Sequence, residues 1–246
     1  KDANKAEFAE WLRATHGLEV DPTALVGAQV KRIHEYKRQL LALLHLAWLQ
    51  RHPEVLESSG VPRALVMAGK AAPGYVRAKL IVKLAHEVGN AIARDPRIRE
   101  RLRFVFVPDF NVKTGQHIYP SADLSLQIST AGLEASGTGN MKFALSGALT
   151  IGTLDGANIE IKDRVGAEDI FIFGMTATEV AQLRTDGYRP TDFRDRDESL
   201  RAALEAIADG TFSPDEPRRH APVVEALLDR DHYMLLADYR AYVNAQ

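Results

Sequence analysis

Residues 132–142 read GLEASGTGNMK, three glycines, a serine, a threonine and an asparagine crowded ahead of one lysine. The run is too flexible for ordinary helix and too polar for ordinary strand. Small residues of this kind let backbone approach a ligand closely. A helix opening near Thr138 would offer unpaired N–H groups and a positive dipole end to a phosphate. Lys142 then falls in the first turns of that helix. A lysine shielded from water loses its proton more readily and condenses with an aldehyde to an imine. Phosphate and aldehyde together describe pyridoxal 5′-phosphate. A plain glycine-rich helix start with a solvated lysine fits the same run and, on spacing alone, has the stronger claim.

Two familiar phosphate patterns fail at this place. For G-x-x-x-x-G-K-[ST], Gly132 and Gly137 are correctly spaced but Thr138 stands where lysine must be. For G-x-G-x-x-G, Gly137 and Gly139 match and Lys142 occupies the third position. Two further stretches carry charge. In VKRIHEYKRQ (30–39), Lys31, Arg32, Lys37 and Arg38 oppose only Glu35. A solvated helix face is the ordinary explanation, but the run leads into the apolar LLALLHLAWL (40–49), which draws part of it inward. Clustered Lys and Arg suit two adjacent phosphates better than one. AGKAAPGY (68–75) sets Lys70 after a strand end, in reach of an anion, although close strand–helix packing explains its small residues equally well.

The elements that must position these groups alternate along the chain. Phe8, Trp11 and Leu12 mark a helix over 4–15, stopped by Gly17. A helix is expected over 35–51, ended by His52-Pro53. ALVMAG (64–69), FVFVP (104–108), ALTIGT (148–153) and DIFIFG (169–174) read as buried strands, most of them closing on a glycine or small residue. A helix follows Pro73, with apolar residues at 76, 80, 81, 84, 88 and 92. From 178 the chain reads as helical, broken by Gly187, Pro190, Pro214 and Pro217. Such alternation implies an α/β fold, a Rossmann-like, mainly parallel sheet flanked by helices, with ligands beyond the carboxyl ends of its strands.

Composition narrows the classes. The 246 residues are 46% hydrophobic and 26% charged, with 31 Lys+Arg against 33 Asp+Glu, so no global field favours nucleic acid or an anionic membrane. The chain has no cysteine, which excludes disulfides and thiolate metal sites; no metal ligand set is expected. No signal peptide opens the sequence, and LLALLHLAWL is far short of the roughly 20 residues that span a bilayer; a cytoplasmic protein is expected. A start at Lys1 and an end at DYRAYVNAQ without a stop signal lead us to expect part of a longer protein.

VKRIHEYKRQLL, GKAAPGY, QISTAG, EASGTGNMKFAL and GALTIGTLDGAN, in this order and spacing, resemble the α-glucan (glycogen/starch/maltodextrin) phosphorylases. The resemblance runs from about residue 4 to the end, where ADYRAYV matches too. It implies a pyridoxal-phosphate enzyme that cleaves α-1,4-glucans with inorganic phosphate to release glucose 1-phosphate. The implied fold is the GT-B arrangement of two Rossmann-like lobes, of which residues 1–246 would be the C-terminal one, with the helix over 1–17 and the helical tail over 178–246 appended. By the same resemblance Lys142 holds the cofactor in imine linkage. Lys31 and the backbone of Gly137, Thr138 and Gly139 bind its 5′-phosphate. Arg32 and Lys37 hold the substrate phosphate, and Glu134, Ala135, Ser136 and Gly137 line the glucosyl pocket. The cofactor phosphate acts as a proton relay rather than the ring as an electron sink. The parent is expected to be a homodimer and this piece not. Phe110 stands where many members carry tyrosine, Leu126 where they carry glutamate and Ser146 where they carry asparagine, which leaves the tuning of the cofactor pocket open. Two alternatives stand beside this: a lobe that binds pyridoxal phosphate or phosphate without turnover, and a nucleotide-sugar transferase of the same fold.

Overall fold

A computed structural model describes residues 1–57 and 60–246. The first half comprises α1 (Asp2–His16), β1 (Leu25–Val30), α2 (Gln39–Arg51), α3 (Glu54–Glu57), β2 (Arg63–Gly69), α4 (Val76–Arg94) and β3 (Leu102–Pro108). The chain then returns to the sheet centre through α5 (Val112–Ser121) and β4 (Leu124–Gln127). It continues with α6 (Gly139–Leu145), β5 (Leu149–Gly152), α7 (Asn158–Val165) and β6 (Phe171–Ile172). Five helices follow: α8 (Ala177–Thr185), α9 (Pro190–Arg196), α10 (Glu198–Ala208), α11 (Ala221–Asp229) and α12 (Leu235–Asn244). The six strands are parallel in the order β3-β2-β1-β4-β5-β6, the Rossmann arrangement.

Strand residues alternate between two cores, as the period of two demands. On β3, Phe104 and Phe106 face one core while Val105 and Val107 face the other. The larger core lies under α2, α4, α10, α11 and α12; the smaller takes Phe8 and Leu12 of α1, Ile118 of α5 and Phe143 of α6. Each fully buried leucine, such as Leu41, Leu43 and Leu44 of α2, contributes roughly 2 kcal/mol. Lys5 ties α1 to the sheet through Asp123, 2.6 Å away, and Gly17 closes that helix in the left-handed conformation at φ 64.

Several expectations are corrected. The helix placed over 35–51 begins only at Gln39: Glu35–Lys37 is a single 3₁₀ turn, and Arg38 is left-handed at φ 55, which breaks the helical ladder. The break expected at Gly187 and Pro190 falls between α8 and α9, and Pro190 opens α9 because its missing N–H is one that a first turn leaves unpaired anyway. β1 and β4 were not anticipated. The switch in strand order falls between them, so their carboxyl ends bound the crevice where ligands bind in such sheets.

Candidate functional site

Two loops leave that crevice, residues 31–38 after β1 and 128–138 after β4. The first continues β1's pairing with β2: Lys31 N–H donates to the Ala68 carbonyl at 3.0 Å and Ile33 N–H to the Lys70 carbonyl at 2.9 Å. Gly69 makes this crossing possible, since a Cβ there would lie 2.3 Å from the Lys31 carbonyl oxygen. The small residues of GKAAPGY are thus explained by backbone packing at Gly69. Lys70 is exposed, and its side chain makes no ion pair among the described residues.

The four cations of VKRIHEYKR part company. Arg38 turns fully inward, its Nε donating to the Ile128 carbonyl at 2.7 Å and its Nη1 pairing with Asp238 Oδ2 at 2.6 Å. This buried pair fastens the loop to α12, and the second Asp238 oxygen accepts the Met175 N–H at 2.9 Å. Gln39 braces the same loop from within, donating to the Arg32 carbonyl at 3.0 Å, while Gln29 donates to the Lys37 carbonyl at 3.1 Å. Arg32 is exposed, and its side chain forms no ion pair among the described residues.

Lys31 and Lys37 converge on one carboxylate. Glu134 Oε2 lies 2.9 Å from Lys37 Nζ and 3.4 Å from Lys31 Nζ, with side chains only 13%, 15% and 9% exposed respectively. Burial holds the Lys31 ammonium below the usual lysine range, and Glu134 offsets only part of that. Burial acts the same way on Lys37, but hydrogen bonds with Tyr36 and the closer contact to Glu134 outweigh it and its pKa is raised. For Glu134, burial pushes upward and the two lysines outweigh it, so the carboxyl sits below the ordinary carboxylate range. Two lysines share one carboxylate, which leaves cations in excess and favours an anion in the crevice.

The glycine-rich loop is held open by residues that the sequence reading missed. Asp155 accepts the N–H groups of Gly132 and Glu134 at 2.9 and 2.8 Å and the Ser129 hydroxyl at 3.0 Å. Asn158 donates to the carbonyls of Gln127 and Thr153 and accepts from Asn140, which opens α6. Ala157 N–H donates to the Ser136 carbonyl at 2.9 Å, and Gly156, at φ 54, has no room for a Cβ, which would lie 2.7 Å from that oxygen. The DG step of LDGAN is a turn signal, and it was the one trace in the sequence that this segment does more than end a strand.

Gly137 is left-handed at φ 78, and α6 begins one residue after Thr138, as expected. The N–H groups of Gly137, Thr138 and Gly139 donate no hydrogen bond among the described residues, and a Cβ on Gly139 would be 3.8 Å from the Val30 carbonyl, beside Lys31. Three free donors on a loop that passes close to the end of β1, the strand that Lys31 follows, can receive a phosphate. Ala135 and Ser136 are exposed on the outer side of the loop. Lys142 differs from expectation: it is exposed, because α6 is short and carries Lys142 on the rim of a cavity of about 490 Å³ lined by Phe110, Val112, Tyr119 and Pro120. An apolar cavity with a primary amine at its rim and phosphate donors nearby fits pyridoxal phosphate. Leu126 is buried in the larger core and Ser146 caps the end of α6, both away from these groups.

The fold is a parallel α/β sheet of the Rossmann kind whose switch point gathers cations and a glycine-rich loop. The sequence profile of the carbohydrate phosphorylase family matches residues 1–246, and the chain belongs to that family. It is 49% identical to a glycogen phosphorylase of Haemophilus influenzae and to one of Synechocystis sp., and 45% identical to the muscle form of Oryctolagus cuniculus. These alignments cover 98–100% of this chain but only 29–30% of the relatives, so the chain spans under a third of their length. Among the described residues no helix is long and apolar enough to cross a membrane.

Proposed function

We propose that the chain is the cofactor- and phosphate-holding lobe of an enzyme that cleaves α-1,4-glucans with inorganic phosphate to give glucose 1-phosphate. The observation that carries this reading is the meeting of Lys31, Lys37 and Glu134 with the 137–139 backbone at the β1–β4 switch point. Lys142 would hold pyridoxal 5′-phosphate, and Lys31 with the N–H groups of Gly137, Thr138 and Gly139 would hold its phosphate. Bound there, the cofactor would supply a phosphate able to exchange a proton with the substrate phosphate.

Arg32 and Lys37 would hold the substrate phosphate. Two phosphates about 4 Å apart repel by ~4 kcal/mol per pair of unit charges at an effective dielectric of ~20. Lys31, Arg32 and Lys37 offset that repulsion, since α6, only seven residues long, adds little dipole. Glu134 then gives up one or both lysines as anions take them. Its carboxylate becomes free to accept hydrogen bonds from sugar hydroxyls, with the Ala135, Ser136 and Gly137 backbone beside it. The remaining part of the parent enzyme would close the glucan cleft, in a cytoplasmic homodimer. The exposure of Lys142 favours a second reading for the chain by itself, a lobe that binds the cofactor without turnover.

The test is a titration with pyridoxal phosphate, borohydride reduction and peptide mapping, with Lys142→Ala as control. Labelling of Lys142 alone supports the reading; scattered labelling, or labelling that survives Lys142→Ala, counts against it. In the full-length enzyme Arg32→Ala is expected to abolish turnover and leave the cofactor bound, whereas loss of cofactor would contradict the division of roles.

A further inference from the structure

The cavity beside Lys142 contains a feature that phosphate binding does not explain. Gly115, inside α5, stands one helical turn before Tyr119. A Cβ on Gly115 would come within 2.8 Å of Tyr119 Cε2 and 3.3 Å of Phe110 Cζ. The two rings therefore fill space that any other residue at 115 would claim. Tyr119 packs edge-on against Phe143, with ring centroids 4.7 Å apart, and edge-on against Phe110 at 6.3 Å. The Lys142 ammonium lies 5.8 Å from the centre of the Tyr119 ring, within cation–π range.

Phe110 has no hydroxyl, and Tyr119 is the one phenol lining this cavity. Burial pushes the Tyr119 hydroxyl above the usual tyrosine range, so near neutral pH the ring is uncharged. An uncharged aromatic face beside an amine has a natural occupant. A planar, electron-poor aromatic aldehyde can stack on the ring while its carbonyl reaches the lysine, and an aliphatic aldehyde gains nothing from that wall.

We infer that Tyr119, seated in the space left by Gly115, is the positioning residue of the Lys142 site, selecting a flat aromatic aldehyde over an aliphatic aldehyde of equal charge. The inference rests on the reading of Lys142 as the aldehyde-reactive residue. It assigns to α5 a role that the loop after β3 leaves unfilled, and it makes Gly115 and Tyr119 a coupled pair.

Two probes separate ring from charge: pyridoxal 5′-phosphate, and glycolaldehyde phosphate, which has the aldehyde and phosphate without the ring. In each case the Lys142 amine adds to the aldehyde with loss of water, and borohydride reduces the C=N bond to a secondary amine that mass spectrometry counts. Tyr119→Leu and Gly115→Ala are each expected to weaken pyridoxal-phosphate labelling of Lys142 about tenfold and to leave glycolaldehyde-phosphate labelling within about twofold. Tyr119→Phe is expected to keep the unaltered protein's labelling. Alanine is the better helix former, so a loss in Gly115→Ala at an unchanged melting temperature points to the cavity and not to α5. An equal fall with both aldehydes, or no fall, overturns the inference, as does a loss in Tyr119→Phe matching that in Tyr119→Leu. If the unaltered protein is not labelled at Lys142 by either aldehyde, the Lys142 reading fails and this one with it; that result shows in the first arm, before any variant is made.

Discussion

Two carboxylates in this chain each gather several cations, and they do opposite things with them. Glu87 on α4 contacts Arg219 and His220 in the segment before α11, and Lys83 on its own helix at 3.3 Å. His220 is fully buried and Arg219 is shared with Glu216 at 2.7 Å, so charges on both sides are accounted for. Glu134 gathers Lys31 and Lys37 from a different loop, with Arg32 exposed in that loop and a row of free N–H donors further along its own. The first cluster is balanced and staples two helices. The second is left with cations in excess at a strand end. Balance makes a joint; imbalance leaves room for an anion, as the proposed function requires.

Glu87→Ala tests the joint and should have the largest effect. It strands a buried imidazole and a half-buried guanidinium, at a cost of about 3 kcal/mol, a fall in melting temperature on the order of 10 °C. Anion binding at the other cluster should not change; an unshifted melting curve would show that the Glu87 cluster is no joint. Gly69→Ala disturbs the second cluster without altering a charge. Its Cβ must push the Lys31 carbonyl away, costing about 1–3 kcal/mol and weakening phosphate binding measured by calorimetry. Stability lost with phosphate affinity intact would mean that Lys31 is not part of the anion site. Glu134→Gln keeps an accepting oxygen but withdraws the charge from two lysines that are only 9% and 15% exposed, costing about 1–3 kcal/mol, and should tighten inorganic phosphate roughly tenfold by removing a competitor. Weaker phosphate binding would reverse the role given to Glu134.

The smallest effect is in pH. Glu87 is also held below the ordinary carboxylate range, burial pushing up and His220, Lys83 and Arg219 outweighing it. A carboxyl whose folded pKa is depressed contributes stability that is complete above its unfolded value near 4.5 and is lost as pH falls through the folded value. Through these carboxyls both clusters therefore weaken as pH falls below about 4.5. Denaturation midpoints should already decline below about pH 6.5, where burial holds the His45 imidazole down to about 4 and the unfolded chain binds the proton instead, and fall further below about pH 4.5, with Glu134→Gln flattening that lower fall less than Glu87→Gln. A reversed order would mean that the Glu134 cluster bears more of the fold than the Glu87 cluster.

Legibility followed burial. β2 and β3 are covered on both faces and read as unbroken apolar runs, so they were visible. β1 (LVGAQV) and β4 (LSLQ) lie at the centre of the sheet but hide polar residues that find partners inside: Gln29 on the Lys37 carbonyl, Gln127 on the Ser125 hydroxyl at 2.8 Å. The basic run was legible as a run, and its position at a strand end followed from the alternation of elements. Its division was not legible, because Arg38 goes inward only through a left-handed backbone and a partner, Asp238, 200 residues away. Asp155 and Asn158 escaped for a related reason: GALTIGTLDGAN stood out as a motif, but the loop and helix start that these side chains brace lie 18 or more residues upstream. Lys142 was conspicuous, yet its exposure depends on the length of α6, which the glycine pattern does not fix.

The strand order has a consequence in time. Lys31 and Lys37 precede Glu134 by 103 and 97 residues, and the two sides belong to halves of the sheet that meet only along β1 and β4. Closing so long a loop is entropically costly and is rewarded only when the second half arrives. During synthesis the basic loop must therefore emerge and wait, its ammonium groups hydrated, until β4 docks and brings the carboxylate across. On the proposed reading, anion affinity is a late acquisition of folding, and the rate at which it appears in a refolding experiment is a clock for the joining of the two halves.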